Sequence, residues 1–139
     1  MTFIPSKAQK IVDAILSSND KILLVSIRDW SGNILAVKYR DSFKEQFFEV
    51  SRLIGLRYAG SLDIAILSLL NEVKDIFGES QAVISIYEHC RFMLLPMPSH
   101  QALIGLAVKR SVVTEEEKEK EKDYNIVNKI ERLMADTLL

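Results

Sequence analysis

One period runs unbroken from Ser42 to Phe77, and it constrains the fold more than any other stretch of the chain. Apolar or aromatic residues recur at Phe43, Phe47, Val50, Ile54, Tyr58, Leu62, Ala65, Leu69, Val73 and Ile76. These positions span 33 residues in nine steps, 3.67 per step, which is the spacing of one face of an α-helix. The phase continues through Gly55 and Gly60, so the pattern predicts one long helix, straight or bent. Ser42 and Glu45 make a capping-box pair at its start, and Gly78 follows Phe77 as a C′ glycine. At ~1.5 Å per residue such a helix is ~50 Å long, whereas a compact domain of this size has a radius of gyration of only ~14 Å. The helix must bend near Gly55–Gly60 or protrude beyond its own sheet.

A second apolar group lies a third of a turn or more from the first: Phe48, Leu56, Ile66, Leu67, Leu70 and Phe77. One sheet face cannot cover both stripes. A helix apolar nearly all round is normally buried all round, and an apolar patch left over marks an interaction surface. These six residues are therefore the candidate protein interface. Two features weigh against it. Glu72 interrupts the main stripe, and other helices of the same chain are an alternative cover for the second group.

On either side of this helix the pattern alternates between helix and strand. Ser6, just after Pro5, is a candidate N-cap, and Ala8, Ile11, Val12 and Ile15 mark one face of a first helix. Lys21 to Asp29 reads as a strand, apolar on both faces over Ile22-Leu23-Leu24-Val25 and therefore central. Trp30-Ser31-Gly32-Asn33 turns the chain into a second strand, Ile34 to Arg40, whose late lysine and arginine suit an edge. Three short strands follow: Ala82–Tyr87, Arg91–Leu95 (ended by Pro96) and Ala102–Val108. Residues 109–123 form a charged, solvated segment with a second capping pair, Thr114 and Glu117. Ile126, Val127, Ile130, Leu133 and Met134 then stripe a C-terminal helix. The order is α-β-β-α-β-β-β-α, an α+β class with one sheet between helices. The 139 residues fit a single domain, 1–139.

Composition narrows the function. Eighteen Lys and Arg against nineteen Asp and Glu give a net charge of −1 and no basic stripe, which argues against nucleic acid. No signal peptide and no run approaching ~20 apolar residues is visible, so no membrane role is expected. The single cysteine, Cys90, fits a reducing, cytoplasmic compartment.

The candidate chemistry is thin. Glu88, His89, Cys90 and His100 are the only grouping with metal-ligand character, and they lack CxxC or HxxxH spacing. Cys90 and His100 flank a strand at ~3.3 Å per residue and so lie well over ~15 Å apart. His89 and Cys90, as neighbours on an extended chain, project to opposite sides and make no nucleophile pair. The five glycines form neither a P-loop nor G-x-G-x-x-G. No enzyme, no cofactor and no metal is expected. Trp30, at a hairpin tip, is either an exposed binding anchor or folded back over the hairpin.

The element order, the turn Asp29-Trp30-Ser31-Gly32-Asn33-Ile34-Leu35, and Ile76-Phe77-Gly78 followed by a strand ending Tyr87-Glu88 and by Arg91 to Pro96 resemble the roadblock/LC7 superfamily, of profilin-like fold. The similarity is most marked to an uncharacterised archaeal roadblock-like group, and it covers nearly the whole chain. The resemblance implies a five-stranded antiparallel sheet of order 2-1-5-4-3, with the long helix on one face and the terminal helices on the other. It also implies no chemistry. Roadblock-like domains form homo- or heterodimers, often through the second helix and the strand beside it, and act as scaffolds or as regulators of small GTPases. The expected function is thus a non-enzymatic dimerisation and adaptor or regulatory module. Its expected partners are a second copy, a related roadblock-like chain or a small GTPase. The alternative is a PAS/GAF-like sensor, which would enclose a small ligand in an apolar pocket between sheet and helix.

Overall fold

The computed structural model describes residues 5–46, 49, 69, 71–110 and 116–138, with backbone alone at 5, 116–123 and 136–138. Helix α1 (Pro5–Ser18) is followed by strands β1 (Ile22–Asp29) and β2 (Ile34–Tyr39) and a 3₁₀ turn, Asp41–Phe43. Residues 71–77 are helical. Strands β3 (Val83–Ile86), β4 (Cys90–Met97) and β5 (Ala102–Lys109) come next, then helix α2 (Glu116–Leu138). All five strands form one antiparallel sheet in the order β2-β1-β5-β4-β3. This is the predicted topology.

Strand β5 occupies the middle of the sheet because it can be buried on both faces. Ala102 to Val108 are buried without a break. Ala102, Ile104, Leu106 and Val108 face the terminal helices, in register with Ile27 and Val25 of β1 and with Met93 and Leu95 of β4. Ala8, Ile11, Val12 and Ile15 of α1 and Ile126, Val127, Ile130 and Met134 of α2 close the same cluster. The stripes at i, i+3, i+4 and i+7 thus fold α1 and α2 onto one face. On the opposite face Leu94, Leu103 and Ala107 are also buried, so that face is covered too. It is the face the sequence assigns to the long helix, most of which lies outside the described residues. Gly105 permits close approach in this layer: a Cβ there would meet Ser26 Oγ at 2.9 Å.

Several boundaries differ from the sequence reading. Helix α1 begins at Pro5, where a residue without a useful N–H costs nothing, so Ser6 is not its N-cap. Before the long helix, Arg40 rather than Ser42 holds the N-cap position of the 3₁₀ turn, and no side chain caps it. Strand β4 runs through Pro96 to Met97 instead of ending at Leu95. Proline is tolerated because β3 pairs with β4 only as far as Leu94, leaving no ladder bond for Pro96 to donate on that side. The charged segment placed before the last helix is largely part of it, since α2 already starts at Glu116. The Gly78 stop holds. Gly78 has φ +84° and its N–H donates to Lys74 O at 2.7 Å, as a left-handed C′ residue does.

The turn after β2 is fastened by a contact the sequence did not suggest. Arg40 Nε donates to Ile22 O at 2.6 Å, and its Nη2 donates to Leu16 O and to Asn19 O at 2.8 Å. One planar guanidinium thereby satisfies carbonyls at the end of α1 and the start of β1, where a helix leaves its last carbonyls unpaired. Lys129 Nζ adds a bond to Ser18 O at 2.9 Å, tying α2 to the same helix end. Hydrogen bonds to a charged donor are worth ~1.5–3 kcal/mol each when unshared. Arg40→Ala should therefore destabilise the fold by about 2–3 kcal/mol in urea unfolding. Arg40→Lys should recover only a minor part, because an ammonium cannot span the three carbonyls.

Candidate interaction surface

Exposed apolar residues gather in one part of the chain. Among the described residues, the large hydrophobic side chains left in solvent are Trp30, Ile34, Leu69, Ile76, Phe77, Ile84, Ile86, Tyr87 and Tyr124. Six of the nine fall between 69 and 87, in the end of the long helix and the edge strand that follows it. Ile76 and Phe77 are each 79% exposed and Ile86 is 58% exposed, values at which an isoleucine or phenylalanine contributes nothing to its own core. Contiguous exposed apolar surface marks an interaction site.

The helical end bears the cluster for a simple geometric reason. The longest strands have eight residues and span ~26 Å at ~3.3 Å each, about half the helix length implied by the sequence. A helix of the length the sequence implies would run past the sheet. Leu69 and Ile76, assigned above to the sheet-covering stripe, are exposed, which corrects that assignment for this end of the helix. Of the six interface candidates, Phe77 is exposed, while Phe48, Leu56, Ile66, Leu67 and Leu70 lie outside the described residues.

Strand β3 forms one border of the sheet, and its residues were not among the sequence candidates. Ile84 and Ile86 pair with Met93 and Arg91, which places them on the side of the terminal helices, yet neither helix covers them. An uncharged Val-Ile-Ser-Ile strand at a sheet border was the available signal. The implied strand order puts it there, although β-propensity alone does not mark a border.

The other border is built differently. Strand β2 carries a bulge opposite Ile27/Arg28, and Lys38 on it pairs with Asp13 of α1 at 3.2 Å. A bulge and a lysine are two devices that discourage a further strand from adding.

The hairpin tip is ordered by Asp29. Its carboxylate accepts from Ser31 N at 2.9 Å, Asn33 N at 2.9 Å and Asn33 Nδ2 at 3.1 Å. Gly32 supplies the positive φ, +91°. Trp30 N donates to Gln101 O at 3.0 Å, and its indole Nε1 lies 3.4 Å from Ala102 O, a long bond that leans the ring toward the β4–β5 turn with 42% still exposed. The geometry therefore combines both readings of Trp30, tethered and half exposed.

The titratable candidates stand apart. Cys90 opens β4, and His100 lies in the 3₁₀ turn Pro98–His100 beyond its far end. Burial pushes the Cys90 thiol up, away from the reactive thiolate. Among the described residues no three His, Cys, Asp or Glu side chains converge as metal ligands. A groove of about 330 Å³ lies where α1, β1, β5 and α2 meet, lined by Ser18, Asn19, Lys21, Ile22, Val108, Asn125, Ile126 and Lys129. It opens to solvent, and three of its polar side chains are engaged at the end of α1: Ser18 Oγ donates to Ile15 O, Asn19 Oδ1 accepts from Lys21 N, and Lys129 Nζ donates to Ser18 O. It does not have the closed apolar character that a PAS/GAF-type ligand would require. Among the described residues no helix is long and apolar enough to cross a membrane.

No protein-family model matches the chain, and no curated protein sequence does. Solved structures do. MglB of Myxococcus xanthus superposes with a TM-score of 0.62 at 10% identity, over 96% of this chain and 92% of that one. A roadblock/LC7 domain from Streptomyces avermitilis gives 0.53 at 9% identity, over 91% and 97%. An MglB described as having a tetrameric arrangement gives 0.56 at 14% identity, over 99% and 95%. The fold is that of roadblock/LC7 domains. At these identities the likeness concerns the backbone path alone. The exposed apolar residues between 69 and 87 are thus a property of this chain's own sequence laid on a roadblock-like frame.

The Asp29 network makes a prediction about acid. Hydrogen bonds from the Asn33 backbone, then the Asn33 side chain and Ser31 and Gly32, hold the Asp29 carboxyl below its ordinary value. A carboxyl depressed in the folded state adds stability above its unfolded value and loses it as pH falls through the folded one. The hairpin should therefore weaken below about pH 4. Asp29→Ala should lower stability at neutral pH and flatten the acid limb of the stability curve, measured by denaturant melts between pH 2 and 7.

Proposed function

We propose that this protein is a non-enzymatic dimerisation and adaptor module of the roadblock type, acting in the cytoplasm as a regulator of a small GTPase. The observation that carries the reading is the set of exposed apolar residues between 69 and 87, Leu69, Ile76, Phe77, Ile84, Ile86 and Tyr87. The roadblock/LC7-like fold supports it, because the resemblance drawn from the sequence implies dimerisation through the second helix and the adjoining strand. A structural neighbour described as tetrameric adds support for self-assembly on this frame. The archaeal roadblock-like group suggested by the sequence remains part of this proposal, as does the GTPase.

The chemistry fits a module that works by contact. Cys90 is pushed away from reactivity, and three polar side chains of the groove, Ser18, Asn19 and Lys129, are engaged in structure. The partner of first choice is a second copy of the chain, with a related roadblock-like chain next. A small GTPase would bind the assembled module.

Sedimentation velocity at tens of micromolar tests the reading. The wild-type chain should sediment as a dimer or larger. Phe77→Glu combined with Ile76→Glu should shift it to monomer with its far-ultraviolet circular dichroism unchanged, since both side chains already face solvent within one chain. A monomeric wild type would overturn the proposal.

A further inference from the structure

The groove where α1, β1, β5 and α2 meet has a chemistry that self-association does not use. The end of a helix presents carbonyl oxygens and partial negative charge, which would repel an anion. Here that charge is already answered. Leu16 O, Asn19 O and Ile22 O accept from Arg40, Ser18 O accepts from Lys129, and Ile15 O accepts from the Ser18 hydroxyl. The side-chain oxygen of Asn19 is taken by Lys21 N at 2.9 Å.

What the groove still offers is rich in donors. Lys21 and Lys129 both line it, and the Lys129 ammonium has N–H groups beyond the one given to Ser18 O. The Asn19 and Asn125 carboxamides add NH₂ groups. No Asp or Glu is among the described residues of the lining. Asp20, between Asn19 and Lys21, is exposed and lies outside it. Ile22, Val108 and Ile126 make an apolar floor. At about 330 Å³ the groove equals roughly ten waters of ~30 Å³ each. That is more than a bare oxyanion needs, and it reaches the size of small-molecule sites.

We propose that this groove binds a small phosphate monoester, with the phosphate between Lys21 and Lys129 and the carbon skeleton on the apolar floor. A phosphate monoester carries a charge of about −1.5 to −2 near neutral pH, which two ammonium groups balance. Its tetrahedral oxygens accept from compact ammonium and amide donors that approach from several directions. A planar carboxylate is better matched by the fork of an arginine, and the arginine at this helix end, Arg40, is committed to carbonyls.

Glycerol 3-phosphate is a suitable probe, followed by amide chemical shifts and by thermal melting. The Asn19, Lys21, Asn125 and Lys129 signals should shift and saturate, and the melting temperature should rise with ligand concentration. Inorganic phosphate should bind more weakly, and so should glycerate, which offers a carboxylate in place of the phosphate. Lys21→Gln and Lys129→Gln should each weaken binding roughly tenfold, the loss of one charge-assisted hydrogen bond. Lys129→Gln also removes the bond to Ser18 O, so Lys21→Gln is the decisive variant: the backbone bonds of residue 21 to Asn19 Oδ1 and Lys109 N do not need its side chain. Lys7→Gln, at the far end of α1, should change nothing. Phosphatidylcholine vesicles containing phosphatidic acid separate a lipid headgroup from a free ester, and the chain should stay in their supernatant. Shifts that spread over Lys7, Lys10 and Lys38 without saturating, unchanged affinity in Lys21→Gln, tighter binding of glycerate, or sedimentation with the vesicles would each overturn the proposal.

Discussion

The structure depends on burying β5 from both sides. Seven consecutive residues, Ala102 to Val108, are removed from water, and a strand apolar on both faces is stable only with a layer above and a layer below. The two terminal helices supply one layer through short stripes whose members are almost wholly buried: Ile11 and Ile15 on α1, Ile130 on α2. The second layer must lie over Leu94, Leu103 and Ala107. That demand explains why the chain commits so long an apolar period to its middle. A helix of the length the sequence implies would also leave apolar turns beyond the sheet, in keeping with the exposure of Leu69, Ile76 and Phe77.

Much of this was legible in the sequence because the signals were periodic. The 3.6-residue stripes of α1 and α2 and the doubly apolar run Ile22–Val25 each had one physical solution. The order 2-1-5-4-3 came from the resemblance and matches the observed pairing. What was not legible depended on contacts distant in sequence. Arg40 read as the polar end of an edge strand, yet its guanidinium reaches carbonyls at Leu16, Asn19 and Ile22. Pro96 read as a stop, and only the early end of β3 shows why β4 can pass through it.

The candidate site was half legible. Phe77 was picked from the wheel and is exposed, but Leu69 and Ile76 were given to the core stripe, because a wheel has no information about where the sheet ends. Ile84, Ile86 and Tyr87 were missed for a different reason. β-propensity alone does not distinguish one border of a sheet from the other. The borders differ in kind: β2 carries a bulge and an ion pair, and β3 is uncharged. Such an asymmetry suits a protein that adds a neighbour on one side only.

The central claim, that the exposed apolar residues between 69 and 87 are covered by a second copy, can be tested most directly by residue-resolved amide hydrogen exchange as a function of protein concentration. The Ile84 and Ile86 amides should exchange quickly in dilute solution and become protected as concentration rises, while the amides of the buried strand β5 change little by comparison. If Ile84 and Ile86 exchange at the same fast rate across the range over which the protein associates, the interface lies elsewhere and the account is wrong.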